Sequence, residues 1–283
     1  MAATYAHWRF GRECIEKMPK EIQKIVHENR DIYNIGVHGP DVFFYNLFRP
    51  NVSSYGYRMH KIPASDFFKR AKEIYQNALE DKNKVLVYTL GFLTHFTLDS
   101  NVHSYVERKH EVSNISHNYV ESQWERHCML LDNRVPNLID RSEHIKPTRK
   151  NCAIIAKFHP FLDKRTYFSI KAQRFVVRTI NCITYTKQKG FQFVLRKIGL
   201  NDYADLYVGF SEDDVCKDSN LRLDKLFDKA LKTYPKLFKS LMAYFNDECD
   251  SLIDYFENDF SYKKGYKDIP ILSYNEELEY KVK

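Results

Sequence analysis

From Val85 to Leu98 the chain reads Val-Leu-Val-Tyr-Thr-Leu-Gly-Phe-Leu-Thr-His-Phe-Thr-Leu, without one Asp, Glu, Lys or Arg, and the next residue is Asp99. Apolar side chains fall on every face of a helix drawn through this run, so the rest of the chain must surround it. The pattern predicts a buried helix over 84–105. A carboxylate entering such an interior is costly unless it is paired or bound to a metal ion.

The residues around Asp99 fit either solution. His95, Asp99 and His103 are four apart, so on a helix they project from nearly one face. His117 and Glu121 repeat the step on the following segment, which Ser116 is placed to cap. Side chains one turn apart can share one ion or two adjacent ions, as in the H-E-x-x-H helix of metalloproteases. The mixture of imidazole and carboxylate suits zinc, and catalytic zinc keeps one coordination position open. The plain alternative is a hydrogen-bonded His95–Asp99 pair with no ion. Five metal-competent side chains within 27 residues favour the metal.

Nine Gly and nine Pro among 283 residues argue for helices with short connections, and the length allows a full core. The net charge of +7 is spread along the chain without a dense Lys/Arg block, so no specific nucleic-acid partner is expected. Cys14, Cys128, Cys152, Cys182, Cys216 and Cys249 form no C-x-x-C pair, which excludes a zinc ribbon and a disulfide framework. The start from Met1 lacks the apolar core of a signal peptide, and no run is long enough to span a membrane. The sequence as written therefore predicts a cytoplasmic, soluble protein.

Along the chain, residues 13–30 read as a helix interrupted at Pro19, and turns follow at Gly36 and at His38-Gly39-Pro40-Asp41. Residues 49–62, carrying His60, read as a polar loop. Ser65 reads as the cap of a helix over 66–80. Beyond Glu121 the metal-type residues thin out. Residues 128–264 are expected to complete a helical bundle: 165–198 alternate basic and aromatic residues, as a solvated helix face with a packed underside or, as the functional alternative, a surface for phospholipid or single-stranded nucleic acid, and 221–260 carry Leu223, Leu226, Phe227, Leu231, Leu237, Leu241 and Phe245 near helical spacing. Residues 265–283 read as a loosely held polar tail. Without an internal repeat or linker, one domain over 1–283 is the simplest account, with its candidate ligands in 1–127. His27, His110, His127 and His144 sit among charged residues and are expected to face solvent, and His159 to lie in a loop. Phe43-Phe44-Tyr45 and Phe67-Phe68 read as core, with a cation–π pocket for a choline head group as the functional alternative.

The ordered set His7, Asp41, His60, His95-x3-Asp99, His103 and His117-x3-Glu121 resembles the zinc-dependent bacterial phospholipase C family, over residues 4–127. That family includes the Bacillus phosphatidylcholine-preferring enzyme and the catalytic domain of clostridial alpha-toxin, and it is related to the S1/P1 nucleases. The resemblance implies an all-α fold holding two or three zinc ions. It gives Asp41, His60, His95 and Asp99 one ion. Asp99 bridges to a second ion with His7, and His103, His117 and Glu121 hold a third. Asp41 also matches the family's proposed general base. The implied activity is hydrolysis of a phospholipid, or a related phosphodiester, by metal-activated water. The implied partners are that substrate and a peripherally contacted membrane.

Three departures stand out. The secreted relatives ligate zinc through the amine and carbonyl of an N-terminal tryptophan, whereas here Trp8 follows His7. His38 is a candidate replacement ligand, or else a structural hydrogen-bonding group. The step from Asp99 to His103 is two residues shorter than in the secreted enzymes, and no C-terminal β-sandwich like that of alpha-toxin is evident. Two other readings stay open. One is an S1/P1-like nuclease or nucleotidase, although those enzymes end the set in H-x-x-x-D. The other is a helical protein stapled by zinc without turnover.

Overall fold

In the computed structural model the described residues are 3–46, 49–162, 165–180, 184–261 and 264–282. Among them the chain is all-α, with thirteen α-helices and no strand. Met1 and Cys182 lie outside the described residues. The other five cysteines are free thiols, and all but Cys249 are buried. No described helix is long and apolar enough to cross a membrane.

In chain order the helices are α1 (Thr4–Ile15), α2 (Lys20–Glu28), α3 (Arg30–Gly36), α4 (Pro50–Met59), α5 (Ala64–Gln76), α6 (Lys82–Ser113), α7 (His117–Leu131), α8 (Arg149–Phe158), α9 (Arg165–Thr179), α10 (Tyr185–Lys197), α11 (Asn201–Ala204), α12 (Lys217–Phe245) and α13 (Tyr274–Glu279). A 3₁₀ turn over Gly39–Phe43 links α3 to α4. The uncharged run forms the middle of α6, which is buried on all sides from Val85 to Val106. Helices α1, α3, α5, α7 and α12 pack around it. One cluster of buried side chains extends from Ala3 to Phe260.

Glycine sets the closest approach. A Cβ on Gly36 would lie 2.6 Å from the Tyr88 carbonyl oxygen, and one on Gly91 would lie 2.6 Å from that of Tyr33. Backbone therefore meets backbone where α3 crosses α6, which no larger residue permits. Three residues on, Gly39 takes a positive φ of 47°, and a Cβ there would fall inside the His95 ring. The turn is thereby laid directly over His95, which carries Asp41 to it.

Several expectations are corrected. Residues 50–59 are helix, not loop. Pro50 pre-organises the first turn, and Val52, Gly56 and Met59 form the buried face that Ser and Tyr residues disguise in the sequence. Ser65 is no cap. Helix α5 begins at Ala64, whose amide donates to the Asn258 carbonyl (3.0 Å), and the Ser65 hydroxyl is buried within it. The helix ends at Gln76 because the Asn77 side chain takes the Glu73 carbonyl (2.7 Å). The tail is not loose: Glu277 is fully buried and paired with Arg222 (2.7 Å) of α12, whose guanidinium also lies 3.9 Å from the Tyr280 ring. Ser116, by contrast, caps α7 as expected, accepting from the Tyr119 amide (3.1 Å).

His144 does not face solvent; it is buried against His38 and Trp8. His159 lies in a loop but is fully buried, between the hydroxyls of Tyr88 (2.9 Å) and Tyr55 (3.1 Å). Burial pushes the His159 pKa down to about 3. The unfolded chain, near the ordinary 6.5, then binds the proton that the folded chain refuses. Between these values stability must fall as pH falls. Thermal melts of chelator-treated protein should therefore lose stability more steeply on acidification in the wild type than in His159→Gln. Parallel curves for the two proteins would remove His159 from the acid response.

Candidate metal centre

Helix α6 positions the centre. Asp99 sits on its inner face, with His95 one turn before and His103 one turn after, at Nε2 distances of 3.0 and 3.4 Å from its carboxylate. Helix α1 adds His7, on the same buried stripe as Ala3, Ala6, Phe10 and Cys14, with Nε2 3.1 Å from Asp99 Oδ1. His60 closes α4 and points Nε2 at Asp41 Oδ1 (3.0 Å) and Asp99 Oδ2 (3.7 Å). Asp41 Oδ1 stands 4.0 Å from His95 Nε2. On the outer side, Glu121 Oε1 of α7 lies 3.3 Å from His117 Nε2 and 3.4 Å from His103 Nε2.

The structure thus brings together all eight residues that the sequence singled out. They fall into three groups able to hold a metal ion: His7 with His95 and Asp99, Asp41 with His60 and His95, and His103 with His117 and Glu121. The two inner groups share His95, whereas the outer group has its own donors. His38 is in none of them. Its Nε2 faces His144 Nε2 at 2.7 Å, and burial beside His144 drives its pKa well below the usual value.

The donor atoms themselves test the fit of a cation. Both oxygens of Asp99, Asp41 Oδ1, His60 Nε2 and both ring nitrogens of His95 are buried without a hydrogen bond. Buried polar atoms are rarely left so. His60 shows why. The Gly56 carbonyl can only accept, so His60 Nδ1 must donate to it (2.8 Å). A neutral His60 then turns a lone pair toward the oxygen lone pairs of Asp41, and only a cation or a proton reconciles the two. The residues present fit a cation.

The electrostatics agree. Burial alone would raise the carboxyl of Asp99, yet His103, His95 and His7 hold it well below the usual range. Asp41 is likewise lowered against its burial by His60 and His95. Burial pulls His60 down, and Asp41 and Asp99 more than restore it. Anionic carboxylates are the state a divalent ion requires, and His60 would release its proton on ligating one.

Several supporting residues escaped the sequence reading. Glu107 accepts from His117 Nδ1 (3.3 Å), fixing the ring that presents Nε2 to Glu121. Its signal was present, since 107 continues the four-residue step 95, 99, 103. Glu125 likewise continues 117, 121. It is buried, pairs with Arg141 and accepts the backbone amide of Tyr5, so it ties α1, and with it His7, to α7. Arg141 lies in a loop, where no periodicity announces it.

A cavity of about 360 Å³ opens on the outer group, lined by His60, His103, Glu107, His117, Phe44 and Tyr57 among others. A smaller recess beside it is walled by Phe44, Tyr45, Tyr57, Tyr203 and Asp202. Phe43, Phe67 and Phe68 are core, as expected, and so are Phe44 and Tyr45, in a second cluster that also borders the recess. A larger cavity of about 650 Å³ next to Phe161 touches none of the eight donors.

A family model described as zinc dependent phospholipase C matches residues 6–173, a span that includes all eight donors. No curated protein and no solved structure matches the chain.

Proposed function

The chain belongs to the zinc-dependent phospholipase C family, and we propose that it is a phosphodiester hydrolase of the phospholipase C type, acting on a phospholipid or a related phosphodiester. The observation that carries this reading is Asp99, a buried carboxylate with histidine nitrogens on both sides and no hydrogen bond of its own, two of whose histidines, His60 and His103, line an open cavity. In this reading Asp41, His60, His95 and Asp99 hold one zinc ion. Asp99 extends to a second with His7, and His103, His117 and Glu121 hold a third. One domain is proposed to carry the whole site, supported by the continuous core from Ala3 to Phe260.

These residues would hold zinc, which when bound would supply a water of lowered pKa and compensate charge on the phosphoryl oxygens. The chain's own groups supply the rest. Asp41 is kept ionised by His60 and His95, so its carboxylate can take a proton from the attacking water. His60 is held by Gly56 and His117 by Glu107, which keeps both rings turned toward the carboxylates they face. The cavity suits a phosphate and its head group, and acyl chains would remain outside.

Phe44, Tyr57 and Asp202 line both the recess and the cavity, and this shared wall suits a cationic head group lodged in the cavity. The Phe44 and Tyr57 rings lie 4.4 Å apart, with Tyr203 and the Asp202 carboxylate on the same wall. Aromatic faces with a nearby carboxylate attract a quaternary ammonium. Tyr57→Ala should raise KM for p-nitrophenyl phosphorylcholine by about tenfold with little change in kcat. KM for bis-p-nitrophenyl phosphate, which has no cation, should not move. Equal effects on both substrates would show that this wall does not read charge.

The reading is tested by elemental mass spectrometry of protein purified without a metal-affinity tag, together with turnover of p-nitrophenyl phosphorylcholine. More than one zinc equivalent with turnover is expected. A single equivalent or none, with no turnover after zinc is restored, would leave a structural staple. Release of 5′-nucleotides from single-stranded DNA, with the choline ester untouched, would make the protein a nuclease.

A further inference from the structure

The positive charge of this chain is not as dispersed as its sequence suggests. Residues 165–200, which hold α9 and α10, carry eight of the 44 Lys and Arg and none of the 37 Asp and Glu. The 36 basic residues elsewhere almost cancel the acids, so the excess resides on these two helices. They also expose large apolar side chains. Phe168, Phe175, Phe191 and Phe193 are 49–70% exposed, and Val194 and Ile198 are more than half exposed. The expected packed underside exists, but the outer face is not simply a solvated one.

Spacing arranges these groups. Phe168, Lys171, Phe175 and Arg178 follow one another at helical intervals along the outward side of α9. Phe191, Val194 and Ile198 do the same on α10. On the inward side, Val177 and Ile180 and the partly buried Leu195 pack in one cluster with Phe44 and Tyr45. Those two aromatics wall the recess beside the donor cavity. The inner sides of these two helices therefore pack against the wall of that recess. Two of its cations have acidic partners from other segments, Arg178 with Asp140 (3.8 Å) and Arg196 with Asp205 (3.1 Å). Lys171, Lys189 and Lys197 lie over the rings of Tyr167, Tyr185 and Phe193.

We propose that the outward faces of α9 and α10 dock on the surface of an anionic lipid bilayer. Cations attract the leaflet, and aromatic and aliphatic side chains enter the boundary between head groups and acyl chains. Single-stranded nucleic acid also suits basic and aromatic residues, but bases stack on rings and have no use for an exposed Val194 and Ile198. The choice of lipid rests in addition on the phosphodiesterase reading.

Flotation of the full chain with phosphatidylcholine vesicles, with and without phosphatidylglycerol, tests the surface. Binding is expected to the anionic vesicles, weakly if at all to neutral ones, and to decline with salt. Phe175→Ser combined with Phe193→Ser should weaken that binding on the order of tenfold or more. The two changes lie outside the donor cavity and should leave the melting temperature and turnover of the soluble choline ester unchanged. Failure to bind anionic vesicles, binding indifferent to the double change, or capture of a thymidine oligonucleotide in place of vesicles would each overturn the proposal. Vesicle binding lost in the double variant, with no ester turnover by either protein, would leave the surface standing and overturn the phosphodiesterase reading.

Discussion

Asp41→Asn should lower turnover of p-nitrophenyl phosphorylcholine by about 10²–10⁴ while leaving most of the zinc in place. The substitution keeps the shape of the side chain and one carbonyl-type oxygen able to ligate. It removes the charge and the capacity to take a proton. Asp41 Oδ1 is buried without a hydrogen bond, 3.0 Å from His60 Nε2 and 4.0 Å from His95 Nε2, so it is held within the donor cluster. The turn that carries it is set by Gly39 against His95 and does not depend on the charge. Folding should consequently survive. Steady-state kinetics, elemental analysis and a thermal melt of one preparation decide the matter. If kcat falls with zinc and fold retained, Asp41 acts on the water. If zinc and melting temperature fall together, Asp41 is a ligand whose contribution is to hold the ion.

Helical spacing alone made legible the part of the centre on α6 and α7, whereas His7, Asp41 and His60 stood out only in the ordered set. The steps 95–99–103 and 117–121 fix which side chains share a face before any tertiary contact is known. The charge-free stretch before Asp99 showed that this helix would be buried on every face. Ser116 and Pro19 marked real boundaries. Helix α4 was missed because only Val52, Gly56 and Met59 face inward, and a glycine contributes nothing to an apolar count. The clamp on the tail was missed for a related reason. Glu277 in a polar stretch looks solvated, and only the fold shows Arg222 waiting for it across 55 residues. His144 misled because its sequence neighbours are charged while its spatial neighbours are His38 and Trp8. Long-range pairing is invisible to periodicity, whereas local geometry is not.

The same distinction governs the even charge distribution first read from the chain. Eight cations over 36 residues are no dense block, yet without one acid among them they fall on two helices that rest on one cluster. Density along the chain and density on a surface are different quantities, and a bilayer responds only to the second.

Asp99→Ala should have its full effect only when metal is present. In the wild type, four histidine nitrogens lie between 3.0 and 3.7 Å from the Asp99 oxygens. An ion held among these groups binds the folded chain far better than the unfolded one. Free zinc a thousandfold above its dissociation constant would contribute about 4 kcal/mol, roughly 10 °C in melting temperature for a chain of this size. A strong chelator should remove that increment from the wild type. It should remove much less from Asp99→Ala, which has lost the one carboxylate placed between two donor groups. The four melts, wild type and variant with and without chelator, form a cycle whose interaction term isolates the metal from the buried ion pairs. A purely structural carboxylate, satisfied by protonated histidines, predicts the opposite pattern. Removing it would then cost about 3–5 kcal/mol whether or not the chelator is present, because the histidines lose their partner either way. A large interaction term therefore identifies Asp99 as a ligand, and a term near zero identifies it as a staple of the helices.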